Sequence, residues 1–166
     1  MARDLTVQLA VDTVNIPSDQ QFNQWVNLAR QGCGGEITLR VVDEPESAQL
    51  NSQFRDKSGP TNVLSFDAQA LAAEQQSLLP PELVAELANE LGDLVICAPL
   101  VTAEAAQQGK ELVCHWAHLT MHGVLHLRGY DHQDDAEQQQ MEAIEIDLLK
   151  QLGYADPYTL EQSAND

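Results

Sequence analysis

The amino-acid sequence predicts a single α+β domain. Three observations point there. Four short segments with strand-like patterning are interleaved with stretches of helical periodicity. A chain of 166 residues with 43% hydrophobic content suits one core and needs no second. And all five histidines fall between positions 115 and 132, on a stretch that itself reads as a helix.

The elements follow in order. Leu5-Thr-Val-Gln-Leu9 alternates apolar and polar residues, as a half-buried strand does. Ser18 and Gln21 are spaced as a capping box for a helix that carries Phe22, Trp25, Val26 and Ala29 on one side and stops at Gly32. Glu36–Val42 is the second strand, and Pro45 suits the first turn of a short helix running through Leu50 and Phe54. Asn62–Phe66 and Leu94–Cys97 are the third and fourth strands. Residues 68–90, rich in Ala, Gln, Glu and Leu around Pro80-Pro81, read as a surface excursion. Helical periodicity resumes after Pro99 and continues to Leu127, broken or kinked near Gly109. A last helix, from about Asp135 to Leu152, packs through Met141, Ile144, Leu148 and Leu149 and is stopped by Gly153. Residues 155–166 are expected to be a loose tail of the single domain 1–166.

The histidine helix carries the chemistry. At about 100° per residue, His115, His118, His122 and His126 lie within an arc of roughly 80°. His122, His126 and His132 read H-x3-H-x5-H. Two imidazoles one turn apart can bind one metal ion, and a third returning after a turn at Gly129 completes three protein ligands with a fourth position left for water. The spacing is zincin-like, close to H-E-x-x-H-x-x-G-x-x-H. The glutamate that would activate water in such peptidases is absent, because Gly123 follows His122. Peptide hydrolysis is therefore disfavoured while the metal geometry survives. Three imidazoles suit zinc, although nickel or copper would bind them too. Gly123 falls on the apolar side of the helix, where the lack of a side chain lets another element approach closely.

Composition narrows the function classes. A net charge of −18 argues against broad, sequence-blind nucleic-acid binding, which relies on many basic contacts. Yet charge is segregated: five of the eight basic residues (Arg3, Arg30, Arg40, Arg55 and Lys57) lie in the first sixty positions, and eleven of the twenty-six acids follow position 110. A local basic cleft on an acidic body is compatible with that distribution. Cys33, Cys97 and Cys114 are an odd number without paired spacing, as expected of reduced thiols. No apolar run of about 18 residues occurs and no apolar stretch follows a basic start, which predicts a cytoplasmic protein without a membrane span.

Two further stretches, Leu50-Asn-Ser-Gln-Phe-Arg55-Asp-Lys-Ser-Gly-Pro60-Thr-Asn-Val-Leu-Ser-Phe66 and Leu91-Gly-Asp93-Leu-Val-Ile-Cys97, join His115-Trp-Ala-His118 and the metal motif in a familiar pattern. Across roughly residues 36–132 the chain closely resembles the YbeY family of bacterial metal-dependent endoribonucleases and rRNA maturation factors. The resemblance implies a small, mixed four-stranded sheet packed with helices. It implies one zinc ion per chain on His122, His126 and His132, and an Arg55 that lies in the active cleft. It also implies a single-strand-specific zinc-dependent endoribonuclease in 3′-end maturation and quality control of small-subunit (16S) rRNA, with ribosomal RNA and the small ribosomal subunit or its proteins as partners. Asp67 stands where the pattern has a proline, which bears on loop shape.

Some roles stay open at this level. Arg55 can pair with a phosphate or form a salt bridge with Asp56 or Asp93. His118, one turn before His122, can shuttle a proton, orient a ligand or be a satisfied, partly buried histidine. Asp131 is a candidate outer partner of a ligand imidazole, and Asp93 is expected to stabilise a strand end or loop. Water or the RNA 2′-hydroxyl can be the nucleophile. Two alternatives to the nuclease are a ribosome-assembly factor with a structural zinc and another metal-dependent hydrolase.

Overall fold

A computed structural model describes residues 5–11, 15–68, 80, 82, 90–130 and 134–158. Among them are four strands, β1 (Leu5–Leu9), β2 (Glu36–Val42), β3 (Val63–Asp67) and β4 (Glu90–Cys97). Five helices accompany them: α1 (Asp19–Arg30), α2 (Glu44–Arg55), α3 (Ala98–Gln108), α4 (Leu112–Leu127) and α5 (Asp135–Gln151). The expected α+β architecture is therefore present.

Local chemistry fixes the ends of these elements. The Ser18 hydroxyl accepts from the Gln21 N–H at 3.2 Å while the Gln21 side chain accepts from the Ser18 N–H at 2.9 Å, a reciprocal cap for α1. Asp43 caps α2 through the Glu46 N–H, and Pro45 sits in its first turn. Gly109, in the left-handed region at φ 65°, ends α3, so the stretch from Pro99 to Leu127 is two helices.

The sheet order is β1-β2-β4-β3, with β1, β2 and β4 parallel and β3 antiparallel at the edge. Ile37, Leu39 and Val41 of β2 and Leu94 and Ile96 of β4 point to one face and are buried beneath α1, α4 and α5. Phe22 meets both Trp25 and Trp116 edge-on, with ring centroids 5.8 Å apart in each pair, and ties α1 to α4. The other face is smaller: Val42, Leu64, Val95 and Cys97 pack with Leu50, Phe66 and Leu100 from α2, β3 and α3.

The fourth strand is longer than the expected Leu94–Cys97, beginning at Glu90. Gly92 is the reason it can extend. Its φ is 154°, and a Cβ there would lie 2.2 Å from the Phe66 carbonyl oxygen, a contact no side chain can make. A register shift between Glu36 and Ile37 of β2 accompanies this irregular start. Nearly all of the 68–90 excursion lies outside the described residues. Beyond α5, where a loose tail was expected, Pro157 is buried and the Tyr158 hydroxyl reaches into the protein. Residues 159–166 lie outside the described set.

Helix α4 is buried nearly all round, and on its histidine side His115 and His118 are buried while His122 and His126 are half-buried. The close approach expected at Gly123 is real. A Cβ there would stand 2.7 Å from Leu94 Cδ2, so a larger residue would force the Leu94 side chain to shift. All three cysteines are free, Cys97 buried and Cys33 and Cys114 half-buried. No helix among the described residues is long and apolar enough to cross a membrane.

Candidate metal centre

The stripe of histidines meets carboxylates on two neighbouring helices. His115 Nε2 lies 2.9 Å from Glu104 Oε1 of α3, and Glu104 also accepts from the Asn62 amide at 3.1 Å. The hydrogen bond from His115 holds the Glu104 carboxyl below its ordinary range; burial opposes this and Asn62 assists it. One turn on, the partner is Glu145 of α5, which is 1% exposed.

Glu145 is the hub. Its Oε1 lies 2.7 Å from His122 Nδ1 and 3.0 Å from His118 Nε2, and its Oε2 accepts from the Tyr158 hydroxyl at 2.8 Å. Burial alone would raise its pKa, but the hydrogen bonds from His118 and His122 outweigh that and pull it down to about 2. An ionised carboxylate only accepts hydrogen bonds, so both imidazoles must donate to it. The proton of neutral His122 is thereby placed on Nδ1 and its lone pair on Nε2.

That Nε2 faces His126 Nε2 at 3.1 Å, with ring centroids 4.6 Å apart. Two ring nitrogens converging one helical turn apart are a donor pair suited to a divalent ion, and the carboxylate behind His122 is the usual outer partner of a ligating imidazole. His118, His122 and Glu145 also form a group whose donor atoms lie within 4.8 Å of one another and could hold a metal ion. His132 and Asp131, the expected third ligand and outer partner, lie outside the described residues.

Arg55, at the end of α2, reaches the exposed edge of the sheet. Its Nη2 donates to the Ser65 carbonyl of β3 at 2.6 Å, and the Ser65 hydroxyl donates to the Gly123 carbonyl of α4 at 3.4 Å. The salt bridges to Asp56 or Asp93 weighed from sequence are not formed. Arg55 thus stands over β3, linked through one serine to the residue next to His122. Phe54 beside it is 54% exposed and meets Phe66 edge-on at 5.3 Å.

Sequence reasoning missed Glu145 and Tyr158. Glu145 had a signal, because it lies in the Met141–Leu148–Leu149 stripe that α5 buries, and a lone acid in an apolar stripe needs a partner. Tyr158 had none, lying 13 residues further along in a segment without periodicity.

The fold and the histidine helix define an α+β domain built around a candidate metal centre, and the comparisons with known proteins narrow that class. Residues 8–153 match the family described as Endoribonuclease YbeY. A protein of that name from Nitrosococcus oceani is 46% identical over 160 residues, covering 95% of this chain and 98% of its own. Another from Pseudomonas fluorescens is 50% identical over 149 residues, covering 89% and 91%. The chain belongs to the YbeY family. The solution structure of TM1509 from Thermotoga maritima shares the fold, with a TM-score of 0.54 at 17% identity over 98% of this chain and 95% of that one.

Proposed function

We propose that this protein is a cytoplasmic, zinc-dependent endoribonuclease that hydrolyses single-stranded RNA, acting in 3′-end maturation and quality control of small-subunit rRNA. The observation that carries the reading is the convergence of His122 Nε2 and His126 Nε2 at 3.1 Å, on a helix whose Gly123 carbonyl, next to His122, is joined through Ser65 to Arg55. Membership of a family described as endoribonucleases supports it. The zinc would be held by His122 and His126, with His132 as third ligand. When bound, such an ion polarises a phosphoryl oxygen and acidifies a water molecule.

The protein's own groups do the rest. Arg55 is exposed and anchored by one hydrogen bond to a carbonyl, so its planar fork can pair with phosphate oxygens. The exposed ring of Phe54 offers a stacking face to an unpaired base, which a duplex would keep in its own stack. His118 serves as an orienting residue, since its Nε2 is engaged by Glu145. On an acidic chain, selectivity comes from a partner, and the small ribosomal subunit or one of its proteins fits that need.

Cleavage of small-subunit rRNA by zinc-loaded, chelated and His126→Ala protein, purified in parallel, tests the proposal. Cleavage should require both the metal and His126, and should favour single-stranded over duplex substrate. Equal cleavage in all three samples, or none in any, would overturn it.

A further inference from the structure

The segment after α5 folds back onto the histidine helix. Tyr158 follows the buried Pro157, and its backbone N–H is held by the Asp156 carboxylate at 2.8 Å, a local turn that aims the ring inward. The ring stands edge-on to His118 with centroids 5.5 Å apart, and the hydroxyl donates to Glu145 Oε2. Glu145 therefore receives His118 and His122 on one oxygen and Tyr158 on the other. With both oxygens engaged, the carboxylate cannot rotate without breaking a buried hydrogen bond.

We propose that Tyr158 is a positioning residue that latches the C-terminal segment onto the metal centre. By fixing the Glu145 carboxylate, it fixes the tautomer and ring orientation of His122 and so presents His122 Nε2 to a divalent metal. The proposal rests on the reading that His122 and His126 hold that metal. The latch is local. The same segment walls a cavity with His115, His118 and Leu149 and is not packed tightly on that side, so loss of one hydroxyl should leave the core intact.

Zinc affinity, measured by competition with a chromophoric chelator, separates the possibilities. Wild type, Tyr158→Phe, Glu145→Gln and the double variant are compared, with melting of the metal-free proteins as the folding control. Glu145→Gln should weaken zinc binding about 10- to 100-fold, as loss of an outer carboxylate partner does. Tyr158→Phe should weaken it about 3- to 10-fold, the worth of one net hydrogen bond, in a metal-free protein that still melts in a single cooperative transition. The double variant should match Glu145→Gln alone, because the tyrosine acts through the carboxylate. Unchanged affinity in Tyr158→Phe, or independent losses in the double variant, would overturn the latch. Failure of wild type to bind zinc would instead overturn the metal reading beneath it. Should Glu145→Gln not fold, Tyr158→Phe alone still decides.

Discussion

His115 and His122 lie on the same helix, and each meets a glutamate from a neighbouring one, yet the two pairs end differently. Glu104 receives His115 and Asn62, and its side chain is 29% exposed. His115 Nδ1, on the far side of that ring, is buried with no partner among the described residues. Glu145 is almost wholly buried, and the far nitrogen of its partner His122 faces a second imidazole. The first pair clamps α3 to α4. The second turns burial into ligand geometry. A histidine–carboxylate pair on this helix becomes chemistry only where the other ring nitrogen has somewhere to point.

Four substitutions probe that contrast. The largest effect is expected from His122→Ala. Rates of RNA cleavage should fall more than about 100-fold, beyond the 10- to 100-fold typical of an outer partner, while the fold persists by circular dichroism. His115→Ala should do the reverse: cleavage close to wild type at low temperature, with about 1–3 kcal/mol of stability lost in denaturant titration from a broken hydrogen bond to a carboxylate. Gly123→Ala attacks the platform both pairs share. Pushing a methyl against Leu94 Cδ2 should cost about 1–3 kcal/mol through forced repacking, again read by denaturant titration.

The smallest effect concerns acid. His115 depresses the Glu104 carboxyl in the folded state, so the unfolded chain binds more protons as pH falls below the ordinary value of 4.5. The stability this contributes is full above that value and is lost as pH drops through the lowered folded one. Melting curves from pH 6 to about 3 should therefore decline less steeply for Glu104→Gln than for wild type, by about 1 kcal/mol or less for a partly exposed pair.

Much of this was legible in the sequence because periodicity and caps are local. Ser18 and Gln21 announced α1, and the histidine stripe and the role of Gly123 could be read from spacing alone. The start of β4 was not, because Gly92 and Asp93 are poor strand formers and Gly92 is there to let the Phe66 carbonyl pass. Arg55 was ambiguous for a physical reason: a guanidinium pairs equally well with a carboxylate or a phosphate, and only the fold shows that it donates to the Ser65 carbonyl. Tyr158 joins His118 across 40 positions, a distance over which no pattern in a single sequence carries information.

On this reading Glu145 orients His122 from behind and is not itself a metal ligand. A crystal structure of the zinc-loaded protein would decide this. Zinc should be bound by His122 Nε2 and His126 Nε2 at about 2.0–2.1 Å, with Glu145 still accepting from His122 Nδ1. Zinc seated among His118, His122 Nδ1 and a Glu145 oxygen would contradict it.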